Sequence, residues 1–177
     1  MNWEFAFLDA LDAIRCSGAD VFFEFITHLG DKGYIWLALG ALLCIFKKTR
    51  KIGICVFTAL LLGVLVGNLT LKPLIARTRP FDAREGILLL INAPKDFSFP
   101  SGHTLSSFAA ATAVFLHNRK YGAICYILAF LIAFSRLYLY VHYPTDVIGG
   151  MLLGIALGAF AVFTVNSLKK KKDTAGE

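Results

Sequence analysis

Residues 52–80 read IGICVFTALLLGVLVGNLTLKPLIARTRP, an apolar run that ends in a cluster of cations. Residues 52–71 carry no charged side chain, and an α-helix crosses the hydrocarbon core of a bilayer with about 20 apolar residues. The run therefore predicts a transmembrane helix. Because Lys72, Arg77 and Arg79 follow directly, we expect basic side chains close to one membrane surface.

Four further apolar runs lie on either side of this one. They are predicted as membrane spans over residues 34–46, 100–116, 121–141 and 147–168. The run at 34–46 is shorter than the roughly 20 residues that a bilayer core requires, and we expect the long side chains of Lys47 and Lys48 to extend it toward the interface. The polar residues 80–99 are predicted as a loop outside the bilayer.

Two short helices are predicted before the spans, over residues 3–14 and 19–29. In the first, apolar side chains recur on one helical face and Glu4 lies off it with two other carboxylates, which is typical of a helix in the membrane interface. In the second, Glu24 and His28 are four positions apart, and we expect them to pair. The acidic residues of this region predict that it is not a cleavable signal peptide.

The sequence thus predicts an all-α polytopic membrane bundle with about five transmembrane helices. We expect a single domain over residues 1–177, with interfacial helices in 1–32, a transmembrane core in 33–168 and a cytoplasmic tail in 169–177. The four cysteines show no metal-binding spacing and are predicted to be packing residues.

The composition favours an integral membrane protein, since 57% of the residues are hydrophobic. A net charge of +6 is compatible with a nucleic-acid partner, but the basic residues cluster beside the apolar runs, at 47–51, 118–120 and 169–172. Such clusters mark the cytoplasmic ends of membrane spans. We therefore expect no nucleic acid, a multi-pass protein of the cell (plasma) membrane with a cytoplasmic C-terminus, and an active site that faces outside.

Three short polar clusters interrupt the apolar sequence on that outer side. They cover residues 72–80 (KPLIARTRP), 99–103 (FPSGH) and 135–146 (SRLYLYVHYPTD). Together they supply cations, backbone amides, two imidazoles and a carboxylate. This set of groups suits phosphoryl transfer, in which catalysis consists mostly of positioning and of electrostatic stabilisation of the phosphoryl oxygens.

Each residue type in these clusters has a candidate role. A neutral imidazole attacks phosphorus when its other nitrogen is held by a carboxylate, which makes His142 and Asp146 the candidate pair. His103 is positioned as the second titratable group, which protonates the leaving oxygen. The expected phosphate ligands are cations, a hydroxyl and amides at the start of a helix, and they are Lys72, Arg79, Ser101, Gly102 and Arg136.

Two alternatives concern the same residues. His103, His142 and Asp146 could instead hold a metal ion, but the neighbouring cations would repel it, so that we expect no metal. Arg77 is equally compatible with contact to lipid headgroups and with phosphate binding. Taken singly, Arg136 and Lys72 could simply extend toward the interface.

The spacing Lys-x6-Arg-Pro, Pro-Ser-Gly-His and Ser-Arg-x5-His-x3-Asp over residues 72–146 resembles the type 2 phosphatidic acid phosphatase superfamily. That family includes membrane lipid phosphate phosphatases and soluble vanadium haloperoxidases, and the five apolar runs favour the former. The resemblance implies a phosphohistidine at His142, orientation of that residue by Asp146, and no cofactor. Since relatives with six spans have an additional N-terminal helix, six spans are the alternative architecture.

The substrate that this resemblance implies is a lipid phosphate or diphosphate at the outer leaflet. Undecaprenyl diphosphate is the first choice, with phosphatidylglycerophosphate and phosphatidic acid as alternatives. A protein that binds or transports lipid phosphates without turnover is the alternative from a different functional class. An intact set of His103, His142 and Asp146 favours the enzyme, because binding alone requires neither a nucleophile nor an acid. The oligomeric state is not predicted.

Overall fold

The computed structural model describes residues 2–175, and the side chains of residues 3–169. Within these residues the chain is all-helical, which confirms the predicted fold class. The α-helices are α1 (Asn2–Ala13), α2 (Ser17–Leu29), α3 (Tyr34–Ile45), α4 (Arg50–Leu62), α5 (Lys72–Ile75), α6 (Gly102–Phe115), α7 (Arg119–Tyr138) and α8 (Pro144–Ala175).

Helix α6 lies at the centre of the bundle. Its sequence, GHTLSSFAAATAVF, is rich in small residues, and ten of its 14 residues are buried. It contacts α3, α4, α7 and α8, and small side chains allow these neighbours to approach closely. The residues that open α6, Gly102 and His103, are therefore held on a rigid central element.

The contact between α6 and α8 depends on glycines spaced four residues apart, at 150, 154 and 158. A Cβ atom on Gly154 would lie 2.6 Å from the carbonyl oxygen of Leu105, and one on Gly158 would lie 2.6 Å from that of Ala109. Small residues at such intervals let two membrane helices meet along their backbones. This seam fixes α8, which carries Asp146, against α6, which carries His103.

A continuous helix over Arg50–Ile75 joins α4 to α5 through a π-helical segment, Gly63–Leu71. The backbone of Gly67 passes so close to Leu105 that a Cβ atom there would lie 2.6 Å from its Cδ1 atom. The helix ends at Ala76, whose φ of 48° lies in the left-handed region. Lys72 and Arg79 therefore do not share one helix, and the turn at Ala76 brings Arg79 back toward the bundle.

Three helices of the described residues are long and apolar enough to cross a membrane: Arg50–Ile75, Arg119–Tyr138 and Pro144–Lys169. The other two predicted spans are also helical, but α3 has 12 residues and α6 has 14, which is shorter than the roughly 20 that span a bilayer core. The helix of α8 continues through the predicted tail as far as Ala175, and the side chains of residues 170–177 lie outside the described part.

Short loops at 46–49 and 116–118 connect helices at one end of the bundle, whereas the segment 76–101 and the loop 139–143 lie at the other end. The basic clusters at 47–51 and 118–120 therefore share one end, and the three polar clusters share the opposite end. Helices α1 and α2 contact α7 as short helices, as predicted. Glu4 of α1 is buried, however, and this corrects its expected place on the polar face.

Candidate active site

A cavity of about 790 Å³ lies at the end of the bundle where the polar clusters meet. Six of the eight predicted site residues line it, namely Lys72, Arg79, Gly102, His103, Arg136 and His142. Its other walls are partly apolar and come from α3, α4, the π-helical segment and α6, with Leu37, Phe57, Leu61, Val64 and Leu105. The cavity therefore has a polar end and an apolar flank.

His142 lies in the loop between α7 and α8, and its two ring nitrogens face different partners. Nε2 is 3.2 Å from Nη1 of Arg79, and a guanidinium group only donates hydrogen bonds. Nε2 therefore accepts, and the proton of the neutral ring resides on Nδ1. Burial, with a smaller contribution from the charge of Arg79, lowers the pKa of His142 to about 3, although Asp146 opposes the shift. The ring is thus neutral, with an unprotonated Nε2 in a residue that lines the cavity.

Asp146 lies behind His142, in the first turn of α8, and is fully buried. Its Oδ2 atom accepts from Ser98 Oγ at 2.5 Å and from the backbone amide of Tyr143 at 2.9 Å, and it is 3.5 Å from Nδ1 of His142. Ser98 Oγ is itself 3.4 Å from that Nδ1. The proton on Nδ1 therefore faces both the carboxylate and the hydroxyl that the carboxylate holds.

Arg136 supplies a buried cation with a free donor. Its Nη1 donates to Thr27 Oγ1 at 2.5 Å, whereas its buried Nε has no hydrogen-bond partner among the described residues. Buried donors without an acceptor are rare in folded proteins. Since Arg136 lines the cavity, an anion bound there is the natural acceptor.

The loop carboxylate Asp96 contacts two of the predicted phosphate ligands. Its Oδ1 is 2.6 Å from Nη2 of Arg79, and its Oδ2 pairs with Nζ of Lys72. Burial would raise the pKa of Asp96, but the ion pairs with Lys72 and Arg79 lower it to about 2. The ionised side chain therefore occupies the same N–H donors that a phosphate oxygen would use.

Asp31 is the carboxylate that contacts His103. Its Oδ1 is 2.9 Å from Nε2 of His103, and its Oδ2 is 2.7 Å from Nδ1 of His28. The hydrogen bond from His103 is the main reason that the pKa of Asp31 is lowered to about 2. His28 thus pairs with Asp31, and the predicted pairing with Glu24 is wrong. The contact fixes the ring of His103 from its Nε2 side and leaves Nδ1 as its other functional atom.

Ser101 and Asp146 do not line the cavity. The amide of Ser101 donates to the backbone carbonyl of Asp146 at 3.1 Å, and its hydroxyl oxygen accepts from Thr104 Oγ1 at 3.0 Å. This corrects the expectation of a free Ser101 amide, because that donor already connects α6 to α8. The next amides of the chain, those of Gly102 and His103, belong to the first turn of α6, where helix geometry provides no internal acceptor.

Arg77 also lies behind the cavity wall. Its Nη1 atom is 2.5 Å from Oδ1 of Asp146 and its Nη2 atom is 2.7 Å from Oε2 of Glu4, and its guanidinium group stacks 4.0 Å from the ring centre of Tyr143. Of the two expected roles, neither lipid contact nor phosphate binding matches this position.

Sequence reasoning missed the partners of the site: Glu4, Asp31, Asp96 and Ser98. Each comes from a segment with no recognisable motif of its own, and each is brought to the site by tertiary structure. The one available signal was the number of cations in the clusters, since buried cations require carboxylate partners.

Comparison with known proteins identifies the family. Residues 52–170 match the model of the PAP2 superfamily, and the chain belongs to this superfamily. It is 40% identical over 131 residues to an undecaprenyl-diphosphatase of Sulfolobus acidocaldarius, a match that covers 73% of this chain and 63% of that relative. It is 32% identical over 153 residues to the undecaprenyl-diphosphatase BcrC of Bacillus subtilis, covering 84% of this chain and 76% of the relative.

Solved structures agree with the family and the fold. The crystal structure of Aquifex aeolicus LpxE superimposes with a TM-score of 0.78 at 32% identity, over 89% of this chain and 93% of that one. A PAP2-type phosphatidylglycerolphosphate phosphatase from Bacillus subtilis gives a TM-score of 0.73 at 29% identity, over 96% and 86% of the two chains. The predicted family is confirmed, and with it the general expectation of a membrane phosphoric ester hydrolase.

Proposed function

We propose that the protein is a metal-independent membrane lipid phosphatase that acts through a phosphohistidine intermediate on His142. The observation that carries this proposal is the tautomer of His142. Arg79 requires an unprotonated Nε2, which is the form in which imidazole is a nucleophile. A protein that only bound lipid phosphates would have no need of this arrangement.

In the first step, the lone pair of His142 Nε2 forms a bond to phosphorus as the bond from phosphorus to the leaving oxygen breaks. His103 begins this step protonated on both ring nitrogens, with Nε2–H held by Asp31, and it donates the Nδ1 proton to that oxygen. Lys72, Arg79 and Arg136, together with the first amides of α6, stabilise the charge on the phosphoryl oxygens. Asp146 and Ser98 stabilise the Nδ1 proton while the ring of His142 becomes positively charged.

In the second step, His103 accepts a proton from a water molecule, which attacks phosphorus as the bond to Nε2 breaks. Orthophosphate leaves, and both histidines return to their starting states. The three cations neutralise the charge that a metal ion would neutralise in a metallophosphatase. Catalysis is therefore expected without a divalent metal.

The proposed substrate is undecaprenyl diphosphate, which would yield undecaprenyl phosphate. The apolar flank of the cavity suits a hydrocarbon tail next to a charged headgroup, and two relatives are named undecaprenyl-diphosphatases. We place the site at the outer leaflet of the plasma membrane, because the basic clusters lie at the opposite end of the bundle. Phosphatidylglycerophosphate is the second candidate, since a structural neighbour is a phosphatase of that lipid.

The test is phosphate release from the purified protein in detergent with EDTA. Undecaprenyl diphosphate, phosphatidylglycerophosphate and phosphatidic acid are compared at equal concentration, and vanadate is added as a competitor that adopts the five-coordinate geometry of the reaction. We expect turnover in EDTA, competitive inhibition by vanadate, and no turnover by His142→Ala. Activity that is lost in EDTA and restored by a divalent metal would overturn the mechanism, and binding without phosphate release by the wild type would favour the non-catalytic alternative.

A further inference from the structure

A second group of charges lies directly behind the catalytic pair, and the proposed mechanism does not use it. Arg77 contacts Asp146 with one guanidinium nitrogen and Glu4 with the other, at 2.5 Å and 2.7 Å. The side chains of Glu4 and Arg77 are 5% and 19% exposed. Thr145 connects the same groups, because its hydroxyl donates to Oε1 of Glu4 at 2.6 Å and accepts from Nη1 of Arg77 at 2.7 Å.

The two oxygens of Asp146 are held from opposite sides. Oδ1 accepts a hydrogen bond from Arg77. Oδ2 alone contacts Ser98, the Tyr143 amide and His142. If the contact to Arg77 were lost, the carboxylate would be free to rotate and present either oxygen. The guanidinium group is itself fixed by its stacking on Tyr143.

The charges of the cluster also bear on the reaction. Asp146 and Arg77 alone would sum to zero, and a neutral pair stabilises a developing imidazolium poorly. Glu4 adds a second carboxylate on the far side of Arg77, and the three groups together then carry one net negative charge. Nearby charge of opposite sign favours the protonated, positively charged form of an imidazole.

We propose that Arg77 and Glu4 are positioning residues for the reaction, which act on His142 through Asp146 and make helix α1 part of the catalytic apparatus. This inference rests on the proposed phosphatase function. Neither residue lines the cavity, so that both act without contact to substrate. Their loss should therefore lower kcat and leave KM nearly unchanged.

The chain offers a matched control for simple attachment of α1. Arg84 pairs with Asp9 of the same helix, at 2.6 Å, and Tyr140 donates to Asp9 at 2.7 Å. This second ion pair also joins α1 to the segment after α5, but it has no contact with Asp146. Since Arg84 and Asp9 are about half exposed, the comparison is made against thermal stability: if Glu4 and Arg77 only anchor α1, any loss of kcat in either pair should follow its loss of stability.

The experiment compares Glu4→Gln, Arg77→Met, Arg77→Lys and the double variant Glu4→Gln/Arg77→Met with the controls Asp9→Asn and Arg84→Met. Steady-state phosphate release is measured in detergent with EDTA, and folding is checked by size-exclusion chromatography and thermal unfolding. We expect kcat to fall roughly tenfold in Glu4→Gln and roughly a hundredfold in Arg77→Met, as for small misplacements of catalytic groups. KM should stay within about twofold, and Arg77→Lys should recover part of kcat because it keeps the charge.

The possible outcomes separate the inference from the proposed function. Wild-type protein that releases no phosphate from any substrate would overturn the function itself. An active wild type with unchanged kcat in Glu4→Gln, which is nearly isosteric and keeps one of the two acceptor oxygens, would overturn the inference alone. A raised KM with unchanged kcat in Arg77→Lys would mean that Arg77 contacts lipid or phosphate, and it would overturn the inference. A loss of kcat in Asp9→Asn equal to that in Glu4→Gln would also overturn it. The double variant keeps one net negative charge, on Asp146, and lacks the contact of Arg77 with Oδ1. A wild-type kcat in this variant would show that Asp146 is positioned without Arg77 and Glu4, and the inference would fail.

Discussion

At the scale of single residues, the site contains an anion of its own. Asp96 pairs with Lys72 and Arg79, and on the proposed mechanism the substrate phosphate uses the same donors. Because these ion pairs lower the pKa of Asp96 to about 2 against the opposing effect of burial, its carboxylate is protonated only in strong acid. Its competition with phosphate is therefore the same throughout the range in which the enzyme is assayed, near neutral pH.

We predict that Asp96→Asn binds vanadate more tightly than the wild type. The inhibition constant should fall by roughly tenfold, which corresponds to about 1.4 kcal/mol, because the amide keeps the shape of the side chain and loses the charge. The improvement should be equal in mildly acidic and in neutral buffer, since the carboxylate of the wild type is ionised in both. Weaker inhibition of the variant would mean that Asp96 organises the two cations and does not compete with substrate.

The sequence predicted the residues that line the cavity better than it predicted their partners. Lys72, His103 and His142 belong to motifs whose spacing indicates phosphoryl chemistry, and they do lie around one cavity. Asp31 and Ser98 meet these histidines only after the chain has folded, and nothing in their local sequence indicates it. The amide of Ser101 was predicted to be free because the approach of Asp146 to the start of α6 is a tertiary contact.

At the scale of helices, the seam between α6 and α8 holds the two halves of the site in register. His103 is on α6 and Asp146 is on α8, and the glycines of α8 bring their backbones together. Packed interiors resist added volume, and overpacking by a single methyl group forces the neighbouring backbone to move. A change far from the cavity should therefore alter the positions of His103 and Asp146.

We predict that Gly154→Ala destabilises the protein and lowers its activity together. The new Cβ atom would lie 2.6 Å from the carbonyl oxygen of Leu105, and overpacking of this kind costs about 1–3 kcal/mol. Thermal unfolding in detergent and phosphate release provide the two measurements. Gly18→Ala in α2 is the control, since a Cβ atom added there would meet no neighbour within 4 Å. An unchanged melting temperature for Gly154→Ala would contradict the importance of the seam.

Apolar periodicity and run length were sufficient to predict where the helices lie, but not their internal irregularities. All five apolar runs form helices. The π-helical segment and the left-handed turn at Ala76 were not predicted, since they depend on how Gly67 meets Leu105 and on how Arg77 and Arg79 are bound. These two features carry Lys72 and Arg79 into one cavity from what the sequence presents as a single stretch.

At the scale of the whole molecule, the two ends of the bundle differ in charge. The loops at 46–49 and 116–118 adjoin basic clusters, whereas the opposite end holds the cavity and the segment 76–101. Basic loops are retained in the cytoplasm. The segment 82–98 is therefore expected outside, together with the mouth of the cavity.

We predict that a membrane-impermeant maleimide added to intact cells labels Leu88→Cys and does not label Lys48→Cys. Both substitutions are made in a background without the four native cysteines. Leu88 is 84% exposed in the segment 82–98, and Lys48 lies in the basic loop at the other end of the bundle. Permeabilised cells should show labelling of both variants. Labelling of Lys48→Cys alone in intact cells would reverse the orientation, and a tag after Glu177 that is accessible from outside would do the same.

The two ion pairs that connect Glu4, Arg77 and Asp146 also have a consequence for biosynthesis. Ribosomes deliver α1 to the membrane long before α8, and during this interval the nascent chain already contains His103 but lacks both His142 and the carboxylate behind it. Helix α1 can form its contacts with Asp146, through Arg77, only after α8 has been inserted. On the proposed mechanism, hydrolysis of membrane lipid would therefore begin only in finished molecules, because His142 and Asp146 are the last parts of the site to be synthesised.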